Sequence, residues 1–176
     1  MFTAAVLAAV ALPAATAAAA PTRTADKPLA ADGDKYTWTS ADQLGAVYTS
    51  TVSSHVPACS PVFACDSTLI HVGDHPDTPL DLQVDIAGTG QDAGGNNTLM
   101  DVDLHVYSSD ATGTQGDSLG ESTGSTANES ILLSDVQPGY YLVYVDWYMG
   151  YGHVDGNAHL SPTPPPDPED DTGEGE

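Results

Sequence analysis

Two stretches of alternating apolar and polar residues constrain the fold of this chain more than any other feature. Residues 100–110 read MDVDLHVYSSD, and residues 128–148 end in the apolar run YYLVYVDWY. Successive side chains of a β-strand point to opposite faces. The first stretch therefore predicts a strand with one apolar face, while its other face carries two carboxylates. These residues are Val102, Leu104 and Val106 on the first face, and Asp101, Asp103, His105 and Tyr107 on the second.

The rest of the chain between residues 35 and 160 follows the same pattern. The segment LDLQVDI over residues 80–86 alternates most cleanly, and no stretch has a sustained period of 3.6 residues. Predicted strands, which include residues 153–160, recur roughly every 10 to 20 residues and are separated by Gly, Asp, Pro or Asn. The Gly-rich run over residues 88–97 is predicted to be a loop. This pattern predicts an all-β fold, an antiparallel β-sandwich of jelly-roll type that forms a single domain.

Composition predicts three further segments outside this domain. Residues 1–20 are Ala-rich and end in small residues, as a secretory signal peptide does, although a disordered Ala-rich start would look similar. Residues 21–34 are predicted to be a flexible N-terminal segment. Residues 161–176 carry five prolines and six acidic residues, which predicts a disordered tail. We therefore expect a secreted, extracellular protein without a transmembrane segment.

The charge balance limits the partners. The chain has 25 acidic and 3 basic residues, a formal net charge of -22. Such a chain repels phosphate backbones and anionic lipids, which argues against nucleic acid and acidic membranes as partners. We expect a monomer whose partner is an extracellular protein or a polysaccharide.

The two cysteines, Cys59 and Cys65, lie close together in the sequence CSPVFAC. In an exported chain this arrangement predicts a disulfide. A metal site built on two cysteines would need further ligands, and none stands at a familiar spacing.

The motifs of the second half resemble those of the bacterial pre-peptidase C-terminal (PPC) domain family. The resemblance covers residues 80–160 and rests on the sequences DVDL, NE and QPGYYLVYV, which begin at Asp101, Asn128 and Gln137. It implies a compact, non-catalytic β-sandwich of the kind appended to secreted peptidases and other exported enzymes. It also implies that calcium or a matrix polymer such as collagen is a ligand to consider.

Asp101, Asp103 and Glu129 are the candidate metal ligands. Calcium takes oxygen ligands, and two carboxylates two residues apart on one strand face can converge on it. Asp81 and Asp85 would join them if the strand over residues 80–86 lies alongside. The alternative is a solvated acidic face or hydrogen bonds to loop amides, and no EF-hand spacing occurs. No cofactor is required by this reading.

A second candidate site lies on the strand over residues 140–148. Its alternation predicts that Tyr140, Tyr144 and Tyr148 share one face, while Tyr141, Val143, Val145 and Trp147 face the core. A flat row of exposed tyrosines can stack on sugar rings. The alternative is that these rings cover a sheet face or pack beneath the N-terminal segment.

The sequence contains no pattern that assigns catalysis. The letters G-x-S-x-G occur at residues 116–120 and 120–124, but no predicted helix follows them as a nucleophile elbow requires. The sequence lacks an H-E-x-x-H motif and a phosphate-binding glycine loop. His71 and His75 suggest zinc only weakly, since no third ligand is evident. We therefore expect no catalytic residues, and a small secreted hydrolase is the remaining alternative.

Overall fold

The computed structural model describes residues 20–45, 65–75, 79–91 and 100–164, and these ranges contain strands but no helix. In chain order the strands are β1 Arg23–Thr24, β2 Lys35–Thr39, β3 Gln43–Leu44, β4 Cys65–Val72, β5 Leu80–Gln91, β6 Asp101–Ser109, β7 Gln115–Ser122, β8 Asn128–Leu133, β9 Gly139–Met149 and β10 Tyr151–Pro162.

The described strands form two sheets. Sheet I has the order β1-β4-β9-β6-β7, and sheet II has the order β2-β10-β5-β8, with β3 beside β10. The all-β fold class is confirmed. The sheets are not purely antiparallel as predicted, because β1 runs parallel to β4.

The inner faces of the two sheets pack against each other and form one hydrophobic core. The alternation of β6 is confirmed on this side, since Val102, Leu104 and Val106 are fully buried. The inward face of β9 is also confirmed, and Trp147 is among the largest fully buried side chains. Sheet II completes the core with inward residues that include Leu82, Val84, Ile131, Val154 and Leu160.

Strand β5 continues into residues that the sequence predicts to be a loop. The Gly-rich run from Gly88 was expected to leave the sheet, but β5 pairs with β10 as far as Gln91. The glycines permit this because the two backbones approach closely here. A Cβ added to Gly152 would lie 2.2 Å from the carbonyl oxygen of Thr89. Residues 92–97 of the predicted loop lie outside the described residues.

The prediction of a flexible segment over residues 21–34 differs from the structure. Strand β1 pairs with β4, and Arg23 forms an ion pair with the buried carboxylate of Asp66. Leu29 is fully buried and joins the core. Composition missed this segment because a single buried leucine and one charged pair fix it, without any alternating pattern.

Several predictions fall partly or wholly outside the described residues. Residues 1–19 of the predicted signal peptide, Cys59 of the predicted disulfide and residues 165–176 of the predicted tail lie there. The pairing of Cys59 with Cys65 and the domain boundaries therefore stay predictions. Strand β10 reaches Pro162 and so includes the first two residues of the predicted tail. In the described ranges, no helix is long and apolar enough to span a membrane.

Candidate functional site

The outer face of sheet I carries the polar side chains of β6, and the centre of this face is buried. Asp103 is 8% exposed and His105 is 3% exposed, while Tyr107 is also buried. The sequence correctly places these residues on one face, opposite the core. A solvated acidic face was the expected alternative to a metal site, and the burial of Asp103 contradicts it.

A second carboxylate lies beside this row on β9. The strand register sets Asp103 opposite Asp146 and His105 opposite Tyr144. Asp146 is 2% exposed, and its Oδ2 lies 3.8 Å from Nε2 of His105. Burial, the charge of Asp146 and two further neighbours raise the pKa of Tyr107 to about 12, so this phenol stays protonated at neutral pH.

The predicted row of exposed tyrosines is wrong at its centre. Tyr144 is buried and meets the ring of Tyr107 edge-on, with centroids 5.8 Å apart. Tyr140 stacks on His71 with centroids 4.4 Å apart. Tyr140 and Tyr148 are only partly exposed. These rings cover the outer face of sheet I, which was the alternative to sugar binding, so they form no flat stacking surface.

An acidic pocket of about 400 Å³ opens at one end of this face. Asp101, Asp103, His105, Glu121 and Tyr148 line it, together with residues 123–125. Among the described residues, Oδ1 of Asp101 is buried and accepts no hydrogen bond. Burial and the charge of Glu129 raise the pKa of Asp101. This carboxylate is therefore held in surroundings that disfavour its charged form.

Glu129 does not join Asp101 and Asp103 in this pocket. It projects from β8 in sheet II and is buried, and its carboxylate accepts hydrogen bonds from the hydroxyls of Ser122 and Thr126. The third carboxylate that lines the pocket is that of Glu121, which the pairing of β6 with β7 places beside His105. Among the described residues, no group of three or more His, Cys, Asp or Glu is arranged to hold a metal ion.

The other predicted metal ligands, Asp81 and Asp85, do not line the pocket. Asp81 and Asp85 belong to sheet II, where β5 pairs with β10 and β8 rather than with β6. Asp81 is buried, and its Oδ1 accepts hydrogen bonds from the amide of Asp135 and the hydroxyl of Thr163. The ring of His71 is engaged in its stack on Tyr140.

The outer face of sheet II is different, because it is polar and open to solvent. We call it the polar face, and its outward side chains come from four strands. They include Thr37 and Thr39 on β2, His153, Asp155, Asn157 and His159 on β10, Gln83, Asp85, Ala87 and Thr89 on β5, and Ser130 and Leu132 on β8; all are exposed or partly exposed.

Hydrogen bonds between strands hold the side chains of the polar face. The hydroxyl of Thr39 donates to Oδ1 of Asp155 at 2.6 Å. The amide nitrogen of Gln83 and the hydroxyl of Ser130 donate to Oδ1 of Asp85 at 2.8 and 2.7 Å. These groups are therefore fixed before any ligand arrives, which lowers the entropy cost of binding.

One end of the polar face carries an exposed aromatic ring. Tyr151 donates a hydrogen bond from its hydroxyl to Oδ2 of Asp42 at 3.2 Å. Oδ1 of the same carboxylate lies 3.0 Å from Nδ1 of His153. Leu44 pairs with Tyr151 across β3 and β10. We call these four residues the Tyr151 patch; sequence reasoning missed it because Asp42 and His153 are 111 positions apart.

Comparisons with known proteins add a structural similarity. A scan against protein families and a search of curated proteins find no match. A similar solved structure is the pre-peptidase C-terminal domain of a collagenase from Bacillus anthracis, at 9% identity over 77% of this chain and 95% of that chain, with a TM-score of 0.37. It comes from the family that the sequence motifs resemble. At this identity and TM-score the similarity carries no argument about function, so the proposals below rest on the residues of this chain.

Proposed function

We propose that this protein is an extracellular, non-catalytic binding domain and that the polar face of sheet II is its binding surface. The observation that carries the proposal is the contrast between the two outer faces. The central side chains of sheet I are buried, whereas sheet II presents a broad array of hydrogen-bonding side chains to solvent. A rigid sheet face with preset polar groups supports binding with little reorganisation.

The signal-peptide pattern and the charge support the extracellular part of the proposal. The Ala-rich residues 1–20 match a secretory signal, and the net charge of -22 keeps an exported domain soluble. The partner is an extracellular protein or a polysaccharide. If the protein acts as an accessory to an enzyme, that enzyme would have to bind at this surface.

Arginine substitutions on the two sheets test the surface. Thr37→Arg and Ala87→Arg place a bulky side chain on the polar face at exposed positions, and Ser118→Arg places the same side chain on β7 of sheet I. Binding is measured by pull-down with insoluble polysaccharides and with secreted proteins of the source culture. We expect the first two variants to lose the retained partner and the third to keep it. Equal retention by all three would overturn the choice of surface.

We also propose that calcium stabilises the acidic pocket. Asp101 and Asp103 line it with Glu121, and the raised pKa of Asp101 reflects burial and repulsion that a cation would relieve. These oxygens suit calcium, although Glu129 is engaged elsewhere. Melting with calcium should exceed melting with chelator, and Asp103→Asn should abolish the difference. An unchanged melting temperature would refute the calcium proposal and would leave the proposal for the polar face unaffected.

A further inference from the structure

The Tyr151 patch combines exposed apolar surface with preset polar groups. Tyr151 is 50% exposed and Leu44 is 70% exposed, and they lie opposite each other in the register of β3 and β10. Directly paired residues of a sheet project to the same side. The two side chains therefore form an apolar step beside the hydrogen-bonding array of the polar face.

Two glycines constrain the backbone on either side of Tyr151. The preceding residue, Gly150, has φ of 90°, a conformation that favours glycine. The following residue, Gly152, packs so closely against β5 that an added Cβ would lie 2.6 Å from Cα of Gly90. The ring itself is restrained by the hydrogen bond from its hydroxyl to Asp42, which lowers the entropy that it loses when a ligand stacks on it.

Asp42 connects the ring to the polar groups beside it. It accepts the hydrogen bond of the Tyr151 hydroxyl and contacts the imidazole of His153. The side chains of Asp42 and His153 are 53% and 33% exposed, so both keep surface for a ligand. The charge of Asp42 raises the pKa of Tyr151, which keeps the hydroxyl protonated and the ring neutral.

We propose that the Tyr151 patch is a binding subsite for a neutral polysaccharide, which stacks a sugar ring on Tyr151 and hydrogen-bonds its hydroxyls to Asp42 and His153. The proposal rests on the proposed function of the polar face and names its ligand class. A sugar ring has an apolar C–H face and a rim of hydroxyls, and this patch pairs an aromatic ring with planar polar groups in the same way. The net charge of -22 disfavours acidic glycans.

The rest of the polar face extends the subsite along β10. Asp155 and Asn157 follow His153 at every second position, so their side chains point to the same side. Thr39 already holds Asp155 by a hydrogen bond. A polymer that stacks on Tyr151 can therefore continue along this row, which is why we infer a polysaccharide rather than a single sugar.

Affinity electrophoresis tests the subsite on the full chain. Native gels contain one neutral polysaccharide each (laminarin, galactomannan or hydroxyethylcellulose), or alginate as the acidic comparison. We expect at least one neutral polymer to retard the protein and alginate to leave it unretarded. Tyr151→Ala should weaken retardation about tenfold, because it removes the stacking ring. Tyr151→Phe should keep most of the binding, since it loses only the hydroxyl.

Further variants separate loss of the site from loss of the fold. Leu44→Arg blocks the patch without touching the glycine turn and should also abolish retardation. Leu119→Ala is the matched control, because it removes an exposed apolar side chain from β7 of sheet I. Retardation by none of the neutral polymers would overturn the subsite, as would retardation that survives both Tyr151→Ala and Leu44→Arg.

The failure of the subsite is distinguishable from the failure of the proposed function. If no polysaccharide binds but Thr37→Arg abolishes capture of a secreted protein, the polar face is a binding surface and the ligand class is wrong. If neither a polysaccharide nor a protein depends on that position, both proposals fail.

Discussion

The ion pair between Arg23 and Asp66 allows the anchoring of the N-terminal segment to be measured. The side chain of Asp66 is 2% exposed and that of Arg23 is 19% exposed. Nη2 of Arg23 donates to Oδ1 of Asp66 at 2.9 Å, Nη1 bonds the other carboxylate oxygen, and Nη1 also donates to the hydroxyl of Thr68 at 3.1 Å. Because the pair links β1 to β4, its removal should release the segment from the sheet edge.

Arg23→Met leaves the buried carboxylate of Asp66 without its cation. Removing one partner of a buried pair typically costs about 3–5 kcal/mol, against a total stability of about 5–15 kcal/mol for a domain. We therefore expect urea unfolding to show a loss of about 3 kcal/mol or more. In the double variant Arg23→Met, Asp66→Asn, the loss should be smaller than the sum of the single losses, because no buried charge remains uncompensated.

Lys27→Met is the matched control for this experiment. It removes the same charge from the same segment, and Lys27 is exposed. Its loss should stay within about 0.5 kcal/mol, as for an ordinary surface substitution. If Arg23→Met and Lys27→Met cost equally little, the segment does not depend on the buried pair, and the flexible segment predicted from composition would be the better description.

Three further predictions concern Gly156, Asp101 and the two cysteines. Gly156→Ala should cost about 1–3 kcal/mol in urea unfolding, because an added Cβ would lie 2.1 Å from the ring of Trp38, and a cost near zero would refute that contact. With chelator present, Asp101→Asn should raise the melting temperature at pH 7, where the ionised group is disfavoured by burial and by the charge of Glu129. This gain should vanish below the ordinary value of 3.8, where the aspartate is protonated in the folded and unfolded states alike; a gain that grows in acid would contradict the argument. Intact mass spectrometry after alkylation should find Cys59 and Cys65 unmodified until reduction, and modification without reduction would exclude their disulfide.

The period-two alternation predicted the strands well because it is a local property. Strands β5, β6, β9 and β10 were all expected from their sequences, and their inward residues form the core. The limits of β5 were missed, because glycines usually end a strand. Here they permit the close approach of β10 instead. Whether β5 ends at its glycines or continues depends on which strand pairs with it. The sequence of β5 alone does not specify that partner.

The candidate site was predicted less well, because it depends on which strands become neighbours. Asp101 and Asp103 share a pocket as their spacing suggests, but the third carboxylate is Glu121 rather than Glu129. Glu129 belongs to the other sheet, and this assignment follows from β8 pairing with β5. A motif describes residues that are close in the sequence. A metal or ligand site depends on which strands lie side by side in the sheets.

The two outer faces explain why Tyr144 is not exposed as in the predicted tyrosine row. They also explain why the sequence did not single out Tyr151. On sheet I the central polar and aromatic positions of β6 and β9 are buried, so Tyr144 packs against Tyr107 and is withdrawn from solvent. On sheet II the alternating positions stay open, and Tyr151 is the exposed ring at the end of that face. An alternating sequence predicts that a strand has two faces but not which of them meets water. Among the described aromatic residues, the exposed ring is therefore on the open sheet, beside Asp42 and His153.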